Sequence, residues 1–232
     1  MGSSIKQMND ELKRQAAVAA LEEIRDGMVV GLGTGSTAAH FIRELGNRVR
    51  AGLKVIGIPT SEASTKLAET CDISLTTIGQ HPVIDVTVDG ADEVSPRLDL
   101  IKGHGGALVR EKIVAHASKR VVIVVDETKL VDRLGAQTFI PVEVVPFATD
   151  FVIHRLREWG GYSRIREQDG KPFLSDNGNI LVDWSYGEVA QPALLEKQLK
   201  GITGVVDSGL FCNVAQMVIV AAESGIRKLV RE

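Results

Sequence analysis

Apolar positions along this chain recur in two rhythms. From Asp10 to Ile24 the apolar and alanine positions return at helical spacing, and Asp10 is placed to cap the first turn. After Gly27 a short apolar run, Met28 to Val30, leads through the glycine-rich GLGTGST into a second helical stretch, Thr37 to Leu45. The same order returns with strand Leu53 to Ile58, helix Ser61 to Glu69, strand Val83 to Val88, helix Ala107 to Ala117 and strand Arg120 to Val125. Strands alternating with helices predict a parallel sheet covered on both faces.

Beyond Gly135 the rhythm changes. Strand Val142 to Val145, helix Thr149 to Trp159 and strand Tyr162 to Arg166 are followed by the turn-rich stretches Gln168 to Lys171 and Asp176 to Asn179. Strand Ile180 to Trp184, helix Ala190 to Leu199 and strand Val205 to Phe211 complete a βαββαβ order, the split unit of ferredoxin-like domains. The last apolar run, Met217 to Ala221, reads as a strand returning to the first sheet. The predicted fold class is α/β, a Rossmann-like parallel-sheet domain with an inserted ferredoxin-like α+β domain. The expected ranges are residues 1–134 plus 204–232 for the first and 135–203 for the second.

Composition narrows the function classes. With 232 residues, 44% hydrophobic, and a mean hydropathy of +0.07, the chain can bury a sizeable core. A net charge of −3, with Lys and Arg scattered, offers no basic block for a run of phosphates, so no nucleic-acid partner is expected. No eighteen uncharged apolar residues run together and Met1 to Gln7 lack a signal-peptide core, so no membrane partner and a cytoplasmic location are expected. Cys71 and Cys212 stand far apart, and His40, His81, His104, His116 and His154 form no ligand pair, so no protein-bound metal is expected.

The loop Gly31 to Thr37 sits after a strand and before a helix, where backbone N–H groups and the helix dipole favour an anion. It is not a dinucleotide fingerprint: the last glycine of GxGxxG is Ser36, and the next strand ends in Pro59, Thr60, Ser61 rather than an acid. It is not a Walker loop either, because it contains no lysine. Two readings remain: a phosphate monoester held by N–H groups and the hydroxyls of Thr34, Ser36 and Thr37, or a tight turn with a hydroxyl cap.

Further along, Asp89-Gly90-Ala91-Asp92 ends the third strand at the carboxyl edge of the sheet, where ligands of open α/β folds bind. Alone it also reads as a capping turn or a metal site. A second glycine loop, Ile101 to Gly106, carries Lys102 at its mouth and runs into the helix of Arg110, Glu111 and Lys112. Glu111 is flanked at helical spacing by Ala107, Leu108, Val114 and Ala115, but Arg110 and Lys112 also have mostly apolar neighbours, and an ion-pair role for Glu111 stays open. Lys129 follows the next strand at the same predicted edge.

The segments GLGTGSTAAHFIREL, PTSEAS, DGADEV, LIKGHGGALVREKIVA, VVDETK and PVEVVPFA occur here in one order. In that order the chain resembles the type A ribose-5-phosphate isomerases over nearly its whole length. The resemblance implies an aldose-ketose isomerase of the non-oxidative pentose phosphate pathway that takes a small-molecule sugar phosphate, needs no cofactor and forms a homodimer. It implies that Thr34, Gly35, Ser36 and Thr37 hold substrate by its phosphate, that Asp89, Gly90, Ala91, Asp92, Lys102, Gly103, His104 and Gly105 surround the sugar, and that Lys129 touches it. Glu111 of the REK motif takes the place of the catalytic base, and Lys13 that of an additional phosphate lysine. His104 stands where the family often has glycine. On this reading Glu111 moves the carbon proton, Asp89 assists ring opening and hydroxyl protons, Asp92 orients the sugar, and Lys102 faces the enediolate. A sugar-phosphate deaminase, a coenzyme A transferase and a non-catalytic sensor are the rivals; a sensor would need a DNA-reading element that one helix before the first strand does not supply.

Overall fold

The computed structural model describes residues 2–231; Met1 and Glu232, the outer bounds of the ranges drawn from the sequence, lie outside them. In chain order the elements begin with α1 (Gly2–Ala20), β1 (Val29–Leu32), α2 (Ser36–Arg50), β2 (Ile56–Pro59), α3 (Glu62–Thr70), β3 (Ser74–Leu75) and β4 (Val86–Asp89). They continue with β5 (Glu93–Val94), β6 (Leu100–Ile101), α4 (Leu108–His116), β7 (Val121–Asp126), β8 (Ile140–Val144), α5 (Thr149–Glu158), β9 (Tyr162–Ile165), β10 (Glu167–Gln168) and β11 (Lys171–Pro172). The last are β12 (Ile180–Ser185), α6 (Pro192–Lys200), β13 (Val205–Ser208), β14 (Leu210–Phe211), β15 (Met217–Ala222) and β16 (Gly225–Val230).

Two compact units divide these elements. The first comprises the chain up to Gly90, Arg110–Lys129 and the segment from Val214 onward. Its seven-stranded sheet has the order β16-β15-β7-β4-β1-β2-β3, parallel except for β16, which pairs antiparallel with β15 at the edge. Central strands β7 (VVIVVD) and β15 (MVIVAA) are buried at every position, which is why they read as unbroken apolar runs. One face of the sheet packs Val30, Leu32, Val88, Val122 and Val124 against Ala16 and Ala17 of α1 and Phe41 and Leu45 of α2. On the other, Val114 of α4 meets Ile58 and Ile84. Truncating Phe41, which is fully buried, to alanine would cost about 3–5 kcal/mol.

Sequence expectations are corrected at the edges of this unit. Helix α1 begins by Gly2, so Asp10 lies inside it and caps nothing; its carboxylate sits 3.0 Å from His40 Nε2 on α2 instead. Strand β1 spans Val29–Leu32, carrying the apolar run into the first two glycine-loop residues.

The second unit comprises Ala91–Val109 and Leu130–Asn213. Four antiparallel strands in the order β13-β8-β12-β9 carry α5 and α6 over a core that includes Val142, Val144, Val152, Leu156, Val182, Trp184, Leu195 and Leu199. Trp184 is fully buried, and its indole N–H donates to Gly160 O at 2.9 Å. The expected strand Val205 to Phe211 breaks at Gly209. Its second part, β14, joins β6 and β5 in a separate three-stranded sheet. A side chain at Gly209 would stand 2.2 Å from Lys102 O, so only glycine lets the chain pass there.

Candidate active site

In the first unit the strand order reverses direction at β1: the chain steps outward through β2 and β3, then returns to lay β4 on the other side. Ligands of open α/β sheets bind at the carboxyl ends of the strands flanking such a switch. Here those ends are Gly33-Thr34-Gly35 after β1 and Asp89-Gly90 at the end of β4. Gly33 donates its N–H to Val88 O at 3.0 Å, and Thr34 donates its N–H to Asp89 Oδ1 at 3.0 Å. The approach leaves no room for a side chain, because a Cβ on Gly33 would lie 2.2 Å from Asp89 Oδ1 and 2.6 Å from Asp89 Cα.

Gly35, at φ +101°, then turns the chain into α2. The first intrahelical bond is Ala39 N–H to Gly35 O at 2.9 Å, so the N–H groups of Ser36, Thr37 and Ala38 have no helical acceptor and open onto the dipole's positive end. Gly35 and Ser36 are exposed and Thr37 is half-buried, so this turn is accessible to an anion.

Thr34's hydroxyl is directed elsewhere. It donates to Ser61 Oγ at 2.8 Å and lies 2.7 Å from Thr60 Oγ1. Ser61 in turn donates to Ser64 Oγ at 2.9 Å, and Ser64 to Gly33 O at 2.7 Å. The hydroxyl chain thus starts and ends on the glycine loop. Ser61 also caps α3 by accepting from Ser64 N–H at 3.0 Å. Thr60, Ser61 and Ser64 of the PTSEAS segment were not among the expected site residues; the clustering of short hydroxyl side chains just after a strand was the available signal.

Asp89 is 2% exposed, and its Oδ1 also accepts from Gly90 N–H at 2.7 Å. Glu111, in the first turn of α4, is 3% exposed, and Lys112 beside it 6%. A carboxylate this far from water is where a proton acceptor can be tuned, since burial disfavours its charge while nearby cations restore it. Lys129 ends a one-turn 3-10 helix directly after β7, half-buried at the same carboxyl edge. Lys13 is half-buried on α1, which packs against α2.

The second unit carries the remaining expected residues. Asp92 donates its N–H to Ile101 O at 2.8 Å, and its Oδ2 accepts from His104 N–H at 3.1 Å, which ties the acidic turn to the second glycine loop. Lys102 is 3% exposed; its N–H donates to Gly209 O at 2.8 Å, and its Nζ lies 5.5 Å from the centroid of the Phe211 ring. Gly103, at φ +103°, abuts Leu108, and Gly105 is exposed. His104 stacks on Phe139 with ring centroids 4.2 Å apart and 9° between planes, and its Nε2 lies 2.8 Å from Thr138 Oγ1. Ala91 is half-buried between the two aspartates. Glu93, which sequence reasoning left without a role, is 1% exposed and accepts N–H groups of Gly135, Gln137 and Thr138 at 2.6, 2.7 and 2.9 Å. It fixes the turn that carries His104's partners Thr138 and Phe139.

Among the described residues no group of three or more His, Cys, Asp or Glu is placed to hold a metal ion, and no helix is long and apolar enough to cross a membrane. Cys71 and Cys212 are buried and are not joined in a disulfide.

This chain is similar to known proteins along almost all of its length. The family described as ribose 5-phosphate isomerase A (phosphoriboisomerase A) matches residues 56–225. A ribose-5-phosphate isomerase A from Rhodopseudomonas palustris strain HaA2 is 50% identical, with 96% of this chain and 98% of that protein covered. The solved structure of ribose 5-phosphate isomerase A from Methanocaldococcus jannaschii superimposes with a TM-score of 0.92 at 45% identity, covering 96% of this chain and 99% of that one. A D-ribose-5-phosphate isomerase solved in complex with phospho-erythronic acid gives a TM-score of 0.93 at 41% identity, covering 95% and 98%. On this evidence the chain belongs to the ribose 5-phosphate isomerase A family.

Proposed function

We propose that this chain interconverts ribose 5-phosphate and ribulose 5-phosphate by moving one proton between C2 and C1 through an enediolate. Glu111 is the base that takes the proton from carbon and returns it. Asp89 handles the hydroxyl protons and ring opening, Asp92 orients the sugar, and Lys102 supplies positive charge to the enediolate oxygen as it forms, where only stabilisation stronger in the transition state speeds the step. Ser36 and Thr37, with the N–H groups at the start of α2, hold the phosphate; Thr34 shapes that loop from behind, and Lys13 and Lys129 add positive charge toward the substrate. Gly90, Ala91, Gly103, His104 and Gly105 line the sugar with backbone.

The observation that carries this reading is the pairing of the phosphate-type loop with Asp89, Thr34 N–H to Oδ1 at 3.0 Å, in a chain of this family. One group of atoms thereby joins an anion-binding turn to a buried carboxylate at the switch point of the sheet. The same reading includes a cytoplasmic location and a homodimer, the second of which sedimentation of the purified protein checks directly.

The test is an assay of ketose formation from ribose 5-phosphate, run beside arabinose 5-phosphate and glucosamine 6-phosphate. Turnover of the first is expected. Turnover of either of the others, with ribose 5-phosphate untouched, would overturn the reading.

A further inference from the structure

We propose that Arg166 is a positioning residue for the isomerisation, acting on Asp92 through the peptide group that joins Gly103 to His104. The inference rests on the assignment of Asp92 to the sugar made above.

Arg166 follows β9, and its guanidinium joins a carboxylate to two consecutive backbone carbonyls. Nη2 lies 2.5 Å from Asp183 Oδ1 on β12, and Nε donates to both Asp183 oxygens at 3.1 and 3.2 Å. Nη1 donates to Gly103 O at 2.9 Å and to His104 O at 3.0 Å. Both side chains are withdrawn from water, at 12% and 5% exposure. Charge-assisted bonds in such a setting are stronger than neutral ones, and the rigid planar fork fixes direction as well as distance.

The peptide group carries that direction onward. Gly103 O and His104 N–H belong to one planar unit, and in a trans peptide they point to opposite sides. Arg166 holds the oxygen end; Asp92 Oδ2 accepts from the hydrogen end at 3.1 Å. Turning this peptide to release the arginine would turn the N–H away from Asp92. The cation at the oxygen also polarises the unit toward a stronger N–H donor.

The loop's own fold adds one neutral bond to this orientation, Gly106 N–H to Gly103 O at 3.0 Å, weaker than the charge-assisted bonds from the arginine. Gly103 and Gly106 both have positive φ, at +103° and +82°, and glycine peptides at such positions rotate with little steric resistance. Packing supports the arginine in place: its guanidinium carbon is 5.6 Å from the Phe139 centroid and 6.0 Å from that of Phe173. Phe139 stacks on the His104 ring, and Phe173 abuts Gly106, where a Cβ would lie 2.5 Å from its Cζ.

The test is a double-mutant cycle on turnover of ribose 5-phosphate with Arg166→Met, Asp92→Asn and both together, each measured per folded molecule well below its melting temperature. Misplacing a reacting group by about 1 Å costs up to about 100-fold, so Arg166→Met should lower kcat by roughly 10- to 100-fold while KM changes by less than about threefold. Because the effect runs through Asp92, adding Arg166→Met to Asp92→Asn should cost less than about threefold more. Arg166→Lys keeps the charge without the fork and should recover only part of kcat. If Arg166→Met does not fold, Arg166→Lys and Asp183→Asn take its place in the same cycle. Wild-type kcat in the folded Arg166 variants, or costs that simply multiply in the double variant, would overturn the proposal and leave the isomerase reading standing. An Asp92→Asn enzyme with undiminished kcat would overturn both this proposal and the role given to Asp92.

Discussion

Thr34 N–H meets Asp89 Oδ1 at 3.0 Å, so the carboxylate assigned to proton handling is also the peg on which the first glycine loop hangs. The two duties separate by substitution. Asp89→Asn keeps an oxygen for the N–H groups of Thr34 and Gly90 but loses the charge, and kcat should fall with KM nearly constant. Asp89→Ala removes the oxygen to which both N–H groups donate, which should raise KM as well and lower stability by about 1–3 kcal/mol. Identical KM values in the two variants would refute the loop-supporting role.

The loop hydroxyls should likewise divide. If Ser36 and Thr37 hold the phosphate as proposed, remote from the reacting carbons, Ser36→Ala and Thr37→Ala should raise KM with kcat little changed. Thr34→Val breaks the hydroxyl chain to Ser61 and should instead lower thermal stability, by about 1 kcal/mol. Steady-state kinetics with melting curves on the three variants checks the division.

Because Asp89 and Asp92 are assigned to protons and hydroxyls, activity should survive exhaustive treatment with EDTA unchanged. Loss of turnover that Mg²⁺ restores would contradict that assignment.

Acid stability has one local contributor with a clear sign. Asp85 accepts from Lys119 Nζ at 2.8 Å and from Val29 N–H at 2.9 Å, and these bonds, the lysine's first, hold its carboxyl below the ordinary value of 3.8. A carboxyl whose folded pKa is depressed stabilises the fold above its unfolded value, and that contribution is lost as pH falls through the folded value. The melting-temperature difference between wild type and Asp85→Asn should therefore be present at pH 7 and shrink below about pH 4. A difference independent of pH would refute it.

The α/β rhythm was legible because buried parallel strands are apolar at every position, as in β7 and β15. Strand β16 was not, because GIRKLV is an edge strand with mostly exposed, mixed side chains. The two-residue strands β5, β6 and β14 are too short to show any period, and Gly209's break is set by Lys102 O, a neighbour 107 positions earlier in the chain. Within the candidate site, the residues assigned to the chemistry stand in recognisable motifs, whereas the side chains that support them do not. Arg166 reaches Gly103 across 63 residues, and Ser64 reaches Gly33 across 31, and neither spacing carries a periodic signal.

Glu111→Gln tests the central claim most directly, since it keeps the side chain's size while removing its ability to accept a proton from carbon. On one preparation, kcat for ribose 5-phosphate, exchange of the C2 proton with solvent, substrate binding and melting temperature are measured together. General-base catalysis is worth about 10²- to 10⁴-fold, so kcat should fall by at least about 100-fold and exchange should vanish, with binding and melting temperature little changed. A variant that turns over within about tenfold of wild type, and melts lower, would make Glu111 a structural ion-pair partner and contradict its role as the base.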